Sequence, residues 1–225
     1  MTTVIVRGAP LGTFQTNCFV VATRSAAGAP LDPTCWLVDP GEEPDSVLDE
    51  LKRSGMTPSA IILTHAHADH IAGLERARAV FPDAAVLGHP AERAFYGDPQ
   101  LNLSAFVAAP FTAREPTADL AHGQQLELNG TRWRVLHTPG HSPGSVTLVC
   151  DDAGVAIAGD TLFAGSIGRV DFPTSDPEAM WRSLNDVLMQ LPDHTAVHPG
   201  HGPSTTIGKE RTSNPFLQDD SWARG

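Results

Sequence analysis

Apolar residues recur along this chain in short runs separated by glycine and proline, and only a few stretches carry a helical period. Residues 4–6 and 17–22 form two such runs joined by a loop containing Gly and Pro, and residues 35–38 form a third. Three runs in quick succession predict an antiparallel start to a sheet. In Asp45–Ser54, Val47, Leu48 and Leu51 share one helical face. Acids come early there, Lys52 and Arg53 late, and Gly55 follows as a stop. Residues 60–63 are apolar and bounded by Pro58, which predicts a buried strand. Residues 71–81 predict one helix carrying Ile71, Leu74 and Val80 and stopped by Pro82. A short strand over 84–87 and a short helix over 91–95 follow. Residues 97–117 hold Pro99, Pro110 and Pro116 and lack a clean period, so they predict a long loop with one helical turn.

The second half repeats the plan. Runs at 125–128 and 132–136 flank Asn129-Gly130, a strong hairpin signal. Runs at 146–150 and 155–158 flank a turn over 151–154. Asp176-Pro177 opens a helix whose face is Met180, Leu184, Val187, Leu188 and Leu191. A last strand over 195–198 precedes a short helix over 207–212, ended by Asn214-Pro215. Strands alternating with strand–helix units predict an α/β chain with two sheets face to face and helices outside. No break in composition marks a linker, so 1–225 is read as a single domain.

Composition narrows the function classes. A chain of 225 residues with 41% hydrophobic and 18% charged residues is long enough for a sizeable core. Its net charge of −11, with no basic run, argues against nucleic acid and anionic membrane as partners. No stretch approaches the ~18 apolar residues of a membrane helix. The first residues lack the basic and apolar regions of a signal peptide. A cytoplasmic location follows as the expectation. Cys18, Cys35 and Cys150 are isolated, each in a predicted strand, and read as buried filler in a reducing compartment.

Candidate chemistry concentrates in Thr64-His65-Ala66-His67-Ala68-Asp69-His70, on the turn between the 60–63 strand and the 71–81 helix. Extended backbone through His65 and His67 puts both imidazoles on one side, while Asp69 and His70 point differently. That suits two metals better than one. His141 in Pro139-Gly140-His141-Ser142-Pro143-Gly144, Asp160 in Gly159-Asp160-Thr161 and His201 in Pro199-Gly200-His201-Gly202-Pro203 each follow a predicted strand between glycines. Together these are seven N/O ligands on four loops, about what a metal pair ~3.5–4 Å apart needs.

The motifs H-A-H-A-D-H, P-G-H-S-P-G, G-D and P-G-H-G-P, in that order and preceded by Val38-Asp39-Pro40-Gly41, resemble those of the metallo-β-lactamase superfamily. The resemblance spans nearly the whole chain and implies a four-layer αββα sandwich. Residues 165–173 (GSIGRVDFP) and 211–217 (RTSNPFL) resemble stretches of the short, single-domain glyoxalase II-like (hydroxyacylglutathione hydrolase-like) subgroup. By that similarity His65, His67 and His141 hold one metal, Asp69, His70 and His201 the second, and Asp160 bridges them. Full-length glyoxalase II carries an additional C-terminal helical region that grips glutathione. This sequence ends soon after His201, so the thiol it serves stays open.

An N/O ligand set suits Zn and tolerates Fe or Mn. Two metals sharing a water bring its pKa toward roughly 7, so that the bridging hydroxide attacks a carbonyl, with Asp69 orienting it as the catalytic residue. Asp39, Thr64 and Thr161 are candidates for holding the ligands, and Arg169 for binding a substrate carboxylate. The expected activity is a binuclear metal-dependent hydrolase cleaving a small-molecule thioester such as S-D-lactoylglutathione. The alternatives are a persulfide dioxygenase, with one iron on His67 or His65, His141 and Asp160, and a lactone or ester hydrolase on the same site. A β-lactamase is set aside because that role belongs to periplasmic or secreted settings. His122 and His194 read as surface loop residues, and His137 and His198 as neighbours of the ligand loops.

Overall fold

The computed structural model describes residues 2–107 and 109–223, so residue 108 of the 97–117 loop lies outside the description. The chain divides into two compact units: 1–120 with 127–132, and 121–126 with 133–225.

The first unit is built on a six-stranded sheet. Strands β1 (Thr3–Leu11) and β2 (Thr16–Arg24) pair antiparallel over their full length. They run further than the apolar runs suggested, because their polar ends complete the ladder. β3 (Thr34–Val38) pairs antiparallel with β2 and leads into α1 (Asp45–Ser54). That helix buries Val47, Leu48 and Leu51 and ends at Gly55, whose left-handed backbone (φ 69°) returns its N–H to Leu51 and Lys52. β4 (Thr57–Ile62) then pairs parallel with β3. Pro58 lies inside this strand rather than bounding it. It sits beside a register shift between Cys35 and Trp36, where a missing N–H is tolerated.

The helix expected over 71–81 is two helices, α2 (Ala68–Ile71) and α3 (Leu74–Val80). Gly73 separates them. Its N–H donates to Pro40 O at 2.8 Å, and a Cβ there would meet Gly41 O and lie 2.5 Å from Pro44 Cγ. The chain must therefore bend at this close approach, and helix begins inside the ligand motif. β5 (Ala85–Gly88), a 3-10 turn at Pro90–Glu92, α4 (Arg93–Gly97) and β6 (Ala118–Asp119) complete the unit. The sheet order is β1-β2-β3-β4-β5-β6, parallel from β3 onward. Leu37, Ile61, Leu48, Leu51 and Leu74 anchor its core.

In the second sheet the strands lie in the order 205–206, 196–199, 155–159, 146–150, 131–137 and 125–128. β7 (Gln125–Leu128) and β8 (Thr131–His137) flank Asn129 and Gly130, both at positive φ (49° and 80°), as a two-residue I′ turn demands. β9 (Val146–Cys150) is buried throughout and pairs antiparallel with β8 and with β10 (Val155–Gly159). A two-stranded hairpin follows, β11 (Leu162–Phe163) and β12 (Ser166–Ile167). α5 (Pro177–Arg182) starts on Asp176, whose Oδ1 accepts Ala179 N–H at 2.9 Å. The helix does not run on regularly: a π turn over Ser183–Val187 and a 3-10 turn over Leu188–Gln190 rotate the face. Met180, Leu184, Leu188 and Leu191 stay buried and Val187 only partly. β13 (Ala196–Pro199), β14 (Thr205–Thr206), α6 (Ile207–Ser213) and α7 (Pro215–Gln218) close the chain. Asn214-Pro215 ends α6 as expected but also starts α7, since Asn214 Oδ1 accepts Phe216 N–H at 3.0 Å.

Candidate metal centre

The first unit assembles its donors around one carboxylate. Asp39 follows β3 with a left-handed backbone (φ 50°), a conformation non-glycine residues seldom hold without support. Its Oδ1 accepts Thr64 N–H at 2.7 Å, and its Oδ2 accepts Thr64 Oγ1–H at 2.6 Å and His70 Nδ1–H at 2.9 Å. Thr64 spends its hydroxyl hydrogen on Asp39, so the oxygen's contact with His65 Nδ1 (3.2 Å) has the imidazole as donor. With Nδ1 protonated on His65 and His70, both rings present an Nε2 lone pair. This is how carboxylates orient metal-binding histidines.

The ligand turn is braced on its other sides. Glu92, buried on the 3-10 turn after β5, accepts Ala66 N–H at 2.7 Å, between the two histidines. Asn102 O accepts Ala68 N–H at 2.8 Å, so the loop over 97–117 caps the start of α2. Thr16 Oγ1, at the start of β2, donates to Asp69 Oδ2 at 2.7 Å. The His67 ring stacks near Phe95, centroids 6.2 Å apart. Thr16, Glu92 and Asn102 carry no signature in the sequence, because each acts across a distance in the chain.

In the second unit, His141 Nδ1 donates to Arg169 O at 2.8 Å, and Ser175 Oγ donates to His141 O at 2.7 Å. His141 therefore also presents Nε2. That atom is 3.5 Å from Asp160 Oδ2, and His201 Nε2 is 3.4 Å from the same oxygen. In the first unit, His70 Nε2 is 3.4 Å from Asp69 Oδ2. These spacings exceed a good N–H···O bond of 2.7–3.2 Å. They match two donors on one tetrahedral ion, which bonds of ~2.0–2.1 Å place about 3.3 Å apart. In each unit the imidazole and carboxylate donors are of the kind that holds divalent metal ions.

The other expected residues lie as follows. Thr161 Oγ1 donates to Thr138 Oγ1 at 3.1 Å, tying the loop before His141. Arg169 directs its guanidinium to Asp171 in two 2.8 Å bonds and lies 4.4 Å over the Phe172 ring, so the contact it makes to the site runs through its carbonyl. His122 Nδ1 accepts His137 N–H at 3.2 Å, His137 Nε2 contacts Pro143 O at 2.8 Å, and His198 Nδ1 contacts Ser204 Oγ at 2.9 Å. Cys18, Cys35 and Cys150 are free and buried, and burial raises each thiol, that of Cys35 to about 12. Among the described residues no helix is long and apolar enough to cross a membrane.

Comparison with known proteins agrees with this geometry. The profile of the metallo-β-lactamase superfamily matches residues 11–201, which hold every donor named above. The chain is 37% identical over 212 residues to the probable metallo-hydrolase YqgX of Bacillus subtilis, covering 94% of this chain and 96% of that protein. It is 31% identical over 223 residues to the hydroxyacylglutathione hydrolase GloC of Haemophilus influenzae, covering 94% and 97%. Among solved structures, BLEG-1, a B3 metallo-β-lactamase, superposes with a TM-score of 0.88 at 37% identity, covering 96% of this chain and all of that one. TTHA1623 in a di-iron-bound form superposes with a TM-score of 0.80 at 37% identity, covering 94% and 100%. The mixed α/β architecture of two sheets and helices matches theirs, and the chain belongs to the metallo-β-lactamase superfamily.

Proposed function

We propose that this protein is a binuclear metal-dependent hydrolase that cleaves a thioester such as S-D-lactoylglutathione. The observation that carries it is the ligand-like spacing at both Asp69–His70 and His141–Asp160–His201, with Asp69 held by Thr16 and His70 by Asp39. Support for thioester chemistry comes from the similarity to GloC. In this reading His65, His67 and His141 hold one ion, Asp69, His70 and His201 the other, and Asp160 serves both. Divalent ions bound there supply Lewis acidity, which acidifies water and polarises the scissile carbonyl. Asp39 and Thr64 keep Nε2 of His65 and His70 as donors. Asp69, held in place by Thr16, orients the water. Three free, buried cysteines support a reducing, cytoplasmic setting.

A persulfide dioxygenase needs only His67 or His65, His141 and Asp160, and would leave the bracing of Asp69 and His70 unexplained. Lactone and ester hydrolysis stay as alternatives on the same site. Similarity to BLEG-1 returns β-lactam amides as a further substrate class. The deciding experiment is metal content of protein purified without added metal, beside hydrolysis assays with S-D-lactoylglutathione, a lactone and a β-lactam. The expected result is close to two metals per chain, zinc, iron or manganese, with fastest cleavage of the thioester. One iron per chain with oxygen uptake on glutathione persulfide overturns the proposal. Two metals with faster turnover of the lactone or β-lactam overturns the substrate alone.

A further inference from the structure

The stretches 165–173 and 211–217 are far apart in the chain and meet in the second unit. Glu210, fully buried on α6, accepts from Thr205 Oγ1 through Oε1. Its Oε2 accepts Gly165 N–H at 2.8 Å and Asn214 Nδ2–H at 2.9 Å. Asn214, also fully buried, donates from Nδ2 to Ser166 O at 3.0 Å. The tip of the β11–β12 hairpin is thus held at one N–H and one carbonyl by the junction of α6 and α7.

That hairpin reaches all three donors of its unit. Strand β12 exits into Gly168, where an added Cβ would collide with Asp160 O and lie 3.2 Å from His141 Cβ. The next carbonyl, Arg169 O, accepts His141 Nδ1–H. On the opposite strand, Phe163 meets the His201 ring edge-on, with centroids 6.0 Å apart. A small displacement of the hairpin would break the His141 hydrogen bond or crowd Asp160.

We infer that Glu210 and Asn214 are positioning residues for the metal centre, acting through the 162–169 hairpin: through its backbone on His141 and Asp160, and through the Phe163 ring on His201. The inference rests on the metal centre proposed above but not on its substrate. Both residues are fully hydrogen-bonded where a surface helix would present solvated groups, which argues for a tie selected to hold something else in place.

The test compares full-length Glu210→Gln and Asn214→Ala with wild type and with Ile207→Val. Ile207 lies on the same helix in the same core, and its truncation leaves the hydrogen bonds intact. Metal affinity is read by competition with a chromophoric chelator, geometry by the visible spectrum of the cobalt-loaded protein, and stability by thermal unfolding. Glu210→Gln keeps the volume but turns an amide N–H toward other donors. About tenfold weaker metal binding and an altered cobalt spectrum are expected in both variants, the low end of the effect of a residue behind a ligand. Ile207→Val should lose stability and keep both. Should Glu210→Gln not fold, Asn214→Ala carries the test. Wild-type affinity in the variants overturns the inference, as does an equal loss in Ile207→Val. A protein that binds two metals and spares thioesters refutes the proposed substrate and leaves this test readable.

Discussion

Asp39 shows how much one side chain decides here. Its two oxygens accept three hydrogen bonds and thereby set the tautomer of two imidazoles. Asp39→Asn would turn an N–H toward either the Thr64 N–H or the Oδ2 donors, and metal affinity should fall about 10–100-fold. Chelator competition checks this, and unchanged affinity would remove Asp39 from that role. Thr16→Val, nearly isosteric, deletes the donor to Asp69. Turnover should fall about tenfold while metal content holds, with Thr16→Ser restoring it. The buried thiols make a third prediction at this scale. With Cys35 raised to about 12 and Cys18 higher, native protein should resist alkylation at pH 8 and react only when unfolded, as mass spectrometry would show.

At the scale of elements, the break between α2 and α3 ties fold to site. Gly73 lets the chain pass against Gly41 and Pro44, beside the Asp39 turn. Gly73→Ala should cost about 1–3 kcal/mol by overpacking, measurable by urea unfolding, and weaken metal binding with it. The bidentate Arg134–Asp151 pair fastens β8 to the turn between β9 and β10 at 2.6 and 2.8 Å. Being largely exposed, it is worth at most about 1 kcal/mol. Its guanidinium holds the Asp151 carboxyl below its ordinary 3.8, so the unfolded chain takes up this proton first. The pair's contribution is therefore complete above pH 3.8 and fades as pH falls through the lowered native value. The stability difference between wild type and Arg134→Ala should close over that range.

For the molecule as a whole, metal is expected to be part of stability. Each ion bound to the native donors and not to the unfolded chain stabilises by about 2.7 kcal/mol at a hundredfold excess over its Kd. For a chain of this size each kcal/mol moves Tm by roughly 2–4 °C, so removing each ion should lower Tm by about 5–10 °C. An unchanged Tm in calorimetry, with metal confirmed absent, would contradict a metal centre coupled to the fold. With a net charge of −11, the molecule is expected to pass through a heparin column unretained.

The sequence by itself determined most of the elements and singled out the candidate donors. Hydrophobic period, caps and turn residues are local: Gly55 stopped α1, Asn129-Gly130 made a hairpin, and glycine-flanked His141, Asp160 and His201 were visible as loop residues after strands. What reads across the chain was decided only by tertiary structure. Pro58 lies within β4 because its neighbour strand shifts register, and one predicted helix became two because Gly73 meets a distant backbone. Arg169 serves through a carbonyl, which carries no residue identity, and the supports at Thr16, Glu92 and Glu210 join positions 53, 26 and 45 residues apart. A donor announces itself by its chemistry and its loop. The hydrogen bond that aims it is set by which distant segment folds against it, and no local pattern encodes that.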